Sequence, residues 1–403
     1  MRLIESTPEQ IVHKPFSSFI ISLNIDTQHC LISFQTQDIR LLLLDQLTIL
    51  PLNHSHCMQD KRSEISSLGE FGLINKINQS ISLQNITSLK GIGDDAAVID
   101  AGADCILFST DMLLEGIHFD LAYMPLQHLG YKAVAVNVSD IAAMNGKPEQ
   151  ITIGLGVSNR FSTEAIDSLY DGIRAACENY NVDLVGGDTT ASASGLVISI
   201  SIIGRAKKEK IVYRNGAKPT DIICVTGDLG GAYMGLQILE REKQVYLTNP
   251  EMQPDLEKYE YVVSRQLKPE ARMDIIHDLS DLGIIPTAMI DVSDGLASEL
   301  LHLSSQSNVG IKIFEDKIPI DNETFDTAAL EFKVDPVTCA LNGGEDYELL
   351  FTIKQIDFEK IKNHADIHFI GYVHEDSKNN FMQSKTGVEV PLHAQGWDHF
   401  KKF

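Results

Sequence analysis

No stretch of the 403-residue chain approaches the roughly 20 consecutive apolar residues that a helix needs to cross a bilayer. The run Leu41 to Leu44 is short and is closed off by Arg40 and Asp45. Basic residues are scarce. The 33 Lys and Arg stand against 56 Asp and Glu, a formal charge of -23, so nucleic acid and anionic membrane surfaces would be repelled. A nucleotide is not excluded, because divalent metal reverses the local sign. The six cysteines (Cys30, Cys57, Cys105, Cys177, Cys224 and Cys339) form no CxxC pair and no Cys/His metal spacing. Cys105, Cys177 and Cys224 lie in apolar surroundings, where buried free thiols are expected. No GxxxxGK[ST] loop occurs, so an ATP site here would not be of the P-loop kind. The start MRLIESTPEQ lacks an apolar core behind a basic head. No secretory signal is expected, and the cytoplasm is the expected compartment.

What remains is a globular composition, 43% hydrophobic and 22% charged, long enough for two domains of ordinary size. Residues 1–62 differ from the rest and read as an N-terminal extension, with two readings open. Either the true start is Met58, or FIISLNI and HCLISF form a small accessory strand pair. Residues 63–206 and 207–403 read as two further domains. In the first, GEFGLINKINQSI, Leu126–Met144 and Ser162–Asn179 are expected helices, while AAVID, CILFSTD, ITIGLGV, VDLVGG and LVISISIIGRA are expected strands. In the second, DIICVTG, TAMIDVSD, IKIFEDKI, ELLFTI and IHFIGYV are expected strands, with helices over GGAYMGLQILEREK, Pro269–Leu279 and Gly295–Ser305 and a loop over Gln244–Lys258. The expected class is α+β.

Against this background one context repeats. Asp94 in GIGDDAAV, Asp111 in ILFSTD, Asp140 in AVAVNVSD, Asp188 in VDLVGGD and Asp291 with Asp294 in AMIDVSDG all sit beside or just after apolar runs. Acids at the ends of buried elements point into the cleft those ends share, and converging acids repel unless a cation lies between them. A hard divalent metal escorting phosphate is the expectation. Each acid also has a plainer reading: Asp140 and Asp294 as helix N-caps, Asp188 as a turn residue. Ser109 and Thr110 add hydroxyl or carbonyl oxygens of the kind magnesium accepts. GIGDDA superficially matches a dinucleotide fingerprint, but two acids at the pyrophosphate position argue against it. Arg214 before Asn215-Gly216 is either a phosphate clamp or an exposed turn residue. His118 in EGIHFD is either a site residue or structural, and NGGEDYE from Asn342 is either a ligand-approaching turn or a charged hairpin.

Taken in order, GIGDDAAV, STDMLLEGIHF, GYKAVAVNVSDIAAMNGKP, GGDTT, IDVSDGL and GGEDYELLF resemble the thiamine-monophosphate kinase family, a branch of the aminoimidazole ribonucleotide synthetase and selenophosphate synthetase superfamily. The resemblance runs from about Ser63 to the C-terminus and leaves residues 1–60 outside. It implies a two-domain synthetase-like fold that dimerises through its N-terminal sheets, and ATP-dependent phosphorylation of thiamine monophosphate with several Mg²⁺ ions and no protein nucleophile. By that resemblance Asp94, Ser109, Thr110, Asp111, Asp140, Asp188, Asp291 and Asp294 hold metal. Asp94, Gly187, Asp188, Arg214 and Ser293 contact ATP, and His118, Glu345 and Trp397 hold thiamine phosphate. The superfamily's selenium enzyme would need a reactive Cys near the glycine loop, and its hydrogenase-maturation protein a C-terminal cysteine tail. Neither is expected here.

Overall fold

The structure, a computed structural model, describes residues 68–395. Both readings of residues 1–62 lie outside the described residues, as does Trp397. The chain enters through helix α1 (Gly69–Gln79) and then builds strands β1 (Ser88–Lys90), β2 (Ala97–Asp100) and β3 (Asp104–Leu114). Helix α2 (Leu126–Ala143), β4 (Lys147–Val157), α3 (Thr163–Tyr180), β5 (Asp183–Ala191) and β6 (Val197–Lys207) follow. The strands form a sheet in the order β1-β2-β3-β6-β4-β5, antiparallel except for the parallel β4–β5 pair, which α3 bridges.

Strand periodicity gives this sheet two unlike faces. Along β3, Cys105, Leu107 and Leu113 are buried while Phe108, Thr110 and Met112 alternate toward the open side. Along β6, Ile198, Ile200 and Ile202 are buried with the same two-residue period. The buried face packs under α2, whose sequence is apolar almost all round, as a helix enclosed on every side must be. Glycines let α2 and α3 approach closely. A Cβ on Gly172 would stand 1.8 Å from the Gln127 carbonyl oxygen, and one on Gly130 2.0 Å from that of Leu169.

The second half holds β7 (Ile222–Thr226), α4 (Gly231–Thr248), α5 (Glu260–Leu267), α6 (Met273–Asp281), β8 (Ala288–Asp291), α7 (Leu296–Ser307) and β9 (Gly310–Phe314). It ends with α8 (Asn322–Asp326), α9 (Pro336–Asn342), β10 (Leu349–Ile353), α10 (Phe358–Ile361), β11 (Ile367–His374), β12 (Asn380–Gln383) and β13 (Glu389–Pro391). Its sheet runs β13-β12-β9-β11-β7-β10-β8. The mixed helix-and-sheet class with two sheets is as expected. The loop expected from Gln244 begins later, because α4 runs on to Thr248. Leu247 is largely exposed there, so no apolar stripe marks the last turn. Helix α5 follows just after that stretch, from Glu260. Among the described residues, no helix is long and apolar enough to cross a membrane, and Cys105, Cys177, Cys224 and Cys339 are free thiols.

Candidate functional site

One stripe of α2 faces the second half of the chain. Lys132, Val136, Ser139 and Asp140 fall at i, i+4, i+7 and i+8, on one side of the helix. Opposite them, β8 ends at Asp291, and the Ser139 hydroxyl donates to Asp291 Oδ2 at 2.6 Å. Asp95, from the glycine turn before β2, completes the group. Carboxylate oxygens of Asp95, Asp140 and Asp291 lie within 4.8 Å of one another. At an effective dielectric near 20, each ionised pair at that range repels by about 3 kcal/mol. Burial, then the neighbouring acids, pushes Asp140 well above the usual carboxylate range. Burial, then Asp95, pushes Asp291 up to about 7. Asp111 is pushed up to about 6 by burial and helps to raise both. The donor set is carboxylate and hydroxyl oxygen, which suits a hard cation with oxygen coordination.

Asp94 and Asp95 part company at this point. Asp94 accepts the Arg214 N–H at 2.9 Å and pairs with Lys90 Nζ at 3.0 Å, so both its oxygens are engaged although it lines the same cavity. Asp95 accepts Arg214 Nη2 at 2.6 Å and Nε at 3.2 Å in a forked pair while facing Asp140 and Asp291. Arg214 is therefore a half-buried partner of the acids and not an exposed turn residue. Period two also divides Ser109 from Thr110. Ser109 donates to Asp140. The Thr110 hydroxyl lies on the open face, where it donates to the Ile200 carbonyl at 3.0 Å and accepts from Ser201, so any role in the cleft falls to its backbone oxygen.

Asp188 does not join the other acids. It lies opposite Gly154 on β4, Gly154 opposite Ser199 on β6, and Ser199 opposite Met112 on β3. That ladder puts Asp188 on the open face, three strands or roughly 14 Å from β3. Every residue of β5 is exposed, Gly187 and Asp188 included. The expectation that all the acids converge within one chain is corrected by this register, since Asp111 and Asp188 point to opposite faces of one sheet.

The remaining expected residues line a cavity of ≈ 930 Å³ beside the acids, which takes in Asp111, His118, Arg214, Ser293, Asp294 and Glu345. His118 Nδ1 accepts the Leu114 N–H at 3.1 Å. The Asp294 N–H is held by Glu299 Oε1 at 3.1 Å, which fixes the turn entering α7. NGGEDYE is not a hairpin. It leaves α9 and runs antiparallel to residues 291–293, with the Glu345 N–H on the Ser293 carbonyl at 2.7 Å and the Tyr347 N–H on that of Val292 at 2.9 Å. Glu345 and Tyr347 take φ of 61° and 53°, left-handed values that side chains seldom adopt. The acids of this segment then separate. Glu345 lines the cavity, Asp346 accepts the Gly230 and Ala232 N–H groups at the start of α4, and buried Glu348 pairs with half-buried Arg265 and Arg272.

Lys132 is a residue beside the cavity that sequence reasoning passed over, and Asp95 is legible only jointly with Asp94, as loop acids able to hold a cation. Nothing in GIGDDA says which of two adjacent acids turns inward, since that depends on Gly93 at φ 118°. Lys132 did leave a signal, a lone basic residue inside the apolar stretch GYKAVAVNV.

Comparison with known proteins gives the kinship of the chain. The AIR synthase related protein, N-terminal domain family matches residues 93–206, from Gly93 through β6. Thiamine-monophosphate kinase of Bacillus subtilis (strain 168) is 36% identical over 343 residues, covering 83% of this chain and 100% of the relative. That of Aquifex aeolicus (strain VF5) is 34% identical over 337 residues, covering 83% and 99%. The solved structure of AaThiL complexed with AMPPCP and TMP is 32% identical, with a TM-score of 0.71 over 84% of this chain and 99% of that one. Likeness at that identity extends over nearly the whole of each relative, with the acid-lined cavity inside the matched region, and the chain belongs to the thiamine-monophosphate kinase family.

Proposed function

We propose that the protein transfers the γ-phosphoryl group of ATP onto the phosphate of thiamine monophosphate, giving thiamine diphosphate and ADP. The observation that carries this reading is the group Asp95, Asp140 and Asp291 at the wall of a cavity large enough for two ligands. The AaThiL structure, solved with AMPPCP and TMP, supports it from the side of kinship.

The acids fit magnesium. They are buried, their oxygens are hard donors, and their raised proton affinities, from burial first and mutual repulsion second, mark a charge that a cation would stabilise. Asp95, Asp111, Asp140 and Asp291, with Ser109 and Asp294 alongside, would hold the ions. Bound magnesium supplies neutralisation of two phosphate chains that must meet head to head. The chain's own residues position. Arg214 is locked against Asp95 and lines the cavity, where a phosphate oxygen can take the N–H donors that Asp95 leaves over. Ser293 and Asp294 sit on a turn fixed by Glu299. His118, Glu345 and Trp397 are assigned to the thiamine phosphate. The acceptor phosphate is already ionised at neutral pH, so no side chain need act as nucleophile or strong base.

Two further parts of the reading concern assembly. The domains are taken to divide at 206/207, supported by the end of β6 at Lys207 and the opening of a different sheet at Ile222. A homodimer is proposed through the open face of the first sheet, supported by half-exposed residues of β6 and by Phe108 on β3. Asp188 stands on that side of the sheet and Gly187 beside it on the exposed strand β5, and we assign their metal and ATP contacts to the partner copy's site. A cytoplasmic location follows from the need for ATP.

The test is product analysis by anion-exchange chromatography with purified protein, MgATP and thiamine monophosphate. Thiamine diphosphate equimolar with ADP, and lost with EDTA, is the expected result. ADP without thiamine diphosphate overturns the acceptor assignment.

A further inference from the structure

An ammonium ion enclosed in protein is costly unless partners surround it, and Lys132 is only 1% exposed. Its Nζ donates to the Gln266 carbonyl of α5 at 3.1 Å and to Glu345 Oε2 at 3.1 Å, and it lies 3.1 Å from Oε1 as an ion pair. Gln266 Nε2 adds a second donor to Glu345 Oε2 at 2.7 Å. A helix from the first half, a helix from the second and the left-handed turn at Glu345 thus converge on one carboxylate. That carboxylate stays 27% exposed and lines the cavity. Lys132 does not line the cavity.

The electrostatics around Glu345 differ from those of the three-acid group. A bare carboxylate on this wall would add to the charge that repels phosphate and would compete for the cations that Asp95, Asp140 and Asp291 are built to hold. With Lys132 against it, the pair is neutral as a whole. Oε2 is occupied by two donors, while Oε1 faces the ammonium as its ion-pair partner and keeps acceptor capacity. A neutralised, oriented acceptor suits an N–H donor on an uncharged or cationic heterocycle, not a metal–phosphate cluster.

We propose that Lys132 is a positioning residue for the acceptor subsite. It holds the Glu345 carboxylate at one place on the cavity wall and cancels its charge, so that Glu345 hydrogen-bonds the heterocyclic end of the acceptor and stays out of the metal group. The inference rests on the phosphoryl transfer proposed above. Lys132 acts only through Glu345, so removing it harms acceptor binding and leaves nucleotide binding nearly intact.

A double-mutant cycle with the full chain tests this, using steady-state kinetics on wild type, Lys132→Met, Glu345→Gln and the double variant. Each single change should raise KM for thiamine monophosphate about tenfold, with KM for ATP moving less than about twofold. The double variant should be no worse than Glu345→Gln alone. It should also fold where Lys132→Met is impaired, because no unpaired carboxylate is left inside. Additive losses, or equal changes in both KM values, overturn the inference. So does a double variant that unfolds as readily as Lys132→Met, which would make the lysine merely structural. If wild type forms no thiamine diphosphate, the proposed function falls and takes the inference with it. Turnover by wild type with an additive cycle sinks the inference alone.

Discussion

Asp140 and Asp291 carry a pH signature of their own. Burial and neighbouring acids raise their proton affinity in the folded chain, Asp291 to about 7 against an ordinary value of 3.8. Between those two values the metal-free folded chain binds more protons than the unfolded chain. Its stability therefore falls as pH rises through that interval, the reverse of an acid held by a salt bridge. In EDTA, the thermal midpoint should drop from about pH 5 to about pH 8, by a loss on the order of 1–3 kcal/mol. Magnesium should restore more at the upper pH than at the lower. Asp291→Asn should flatten the decline in EDTA and still cost at least about a hundredfold in turnover, as loss of a charge-stabilising group does. Midpoints that do not change with pH in EDTA would contradict the buried three-acid group.

At the scale of elements, the sequence reports what is periodic and hides what depends on a single dihedral. Strand β6 announces itself by alternation and β3 by a short apolar run, and the two-residue period of a strand implies that Ser109 and Asp111 share a face from which Thr110 is excluded. Helix α2 was legible as an enclosed helix because its residues are small and apolar on all sides. Helices α5, α8 and α9 left weaker traces, since short, half-exposed elements carry no sustained stripe. The α2–α3 contact also rests on details no pattern reveals. Gly172 passes so close to the Gln127 carbonyl that a methyl group has no room. Gly172→Ala should lower stability by about 3 kcal/mol or more, read as a shifted denaturation midpoint with unchanged slope. A shift within about 0.5 kcal/mol would mean that the helices can separate freely.

For the molecule as a whole, strand order decides what residue spacing cannot. Asp140 and Asp291 meet because α2 and β8 face each other, whereas Asp188, in the same kind of sequence setting, is carried to the open side of its sheet by the order β3-β6-β4-β5. If a second copy covers that side, Phe108→Lys should convert the dimer to monomer in sedimentation equilibrium and abolish turnover, because the partner subunit's Asp188 is withdrawn. A dimer that survives this change places the interface elsewhere.

The acid group draws Asp95 from a turn before β2, Asp140 from α2 and Asp291 from the end of β8, so no single segment owns it. Such a site behaves as a gauge of alignment. A shift of an ångström along the seam between α2 and β8 spoils the geometry while each sheet keeps its own hydrogen bonds, so warming extinguishes catalysis before it melts the fold. Evolution, likewise, can vary either half's outer surface freely but must change the seam in matched pairs.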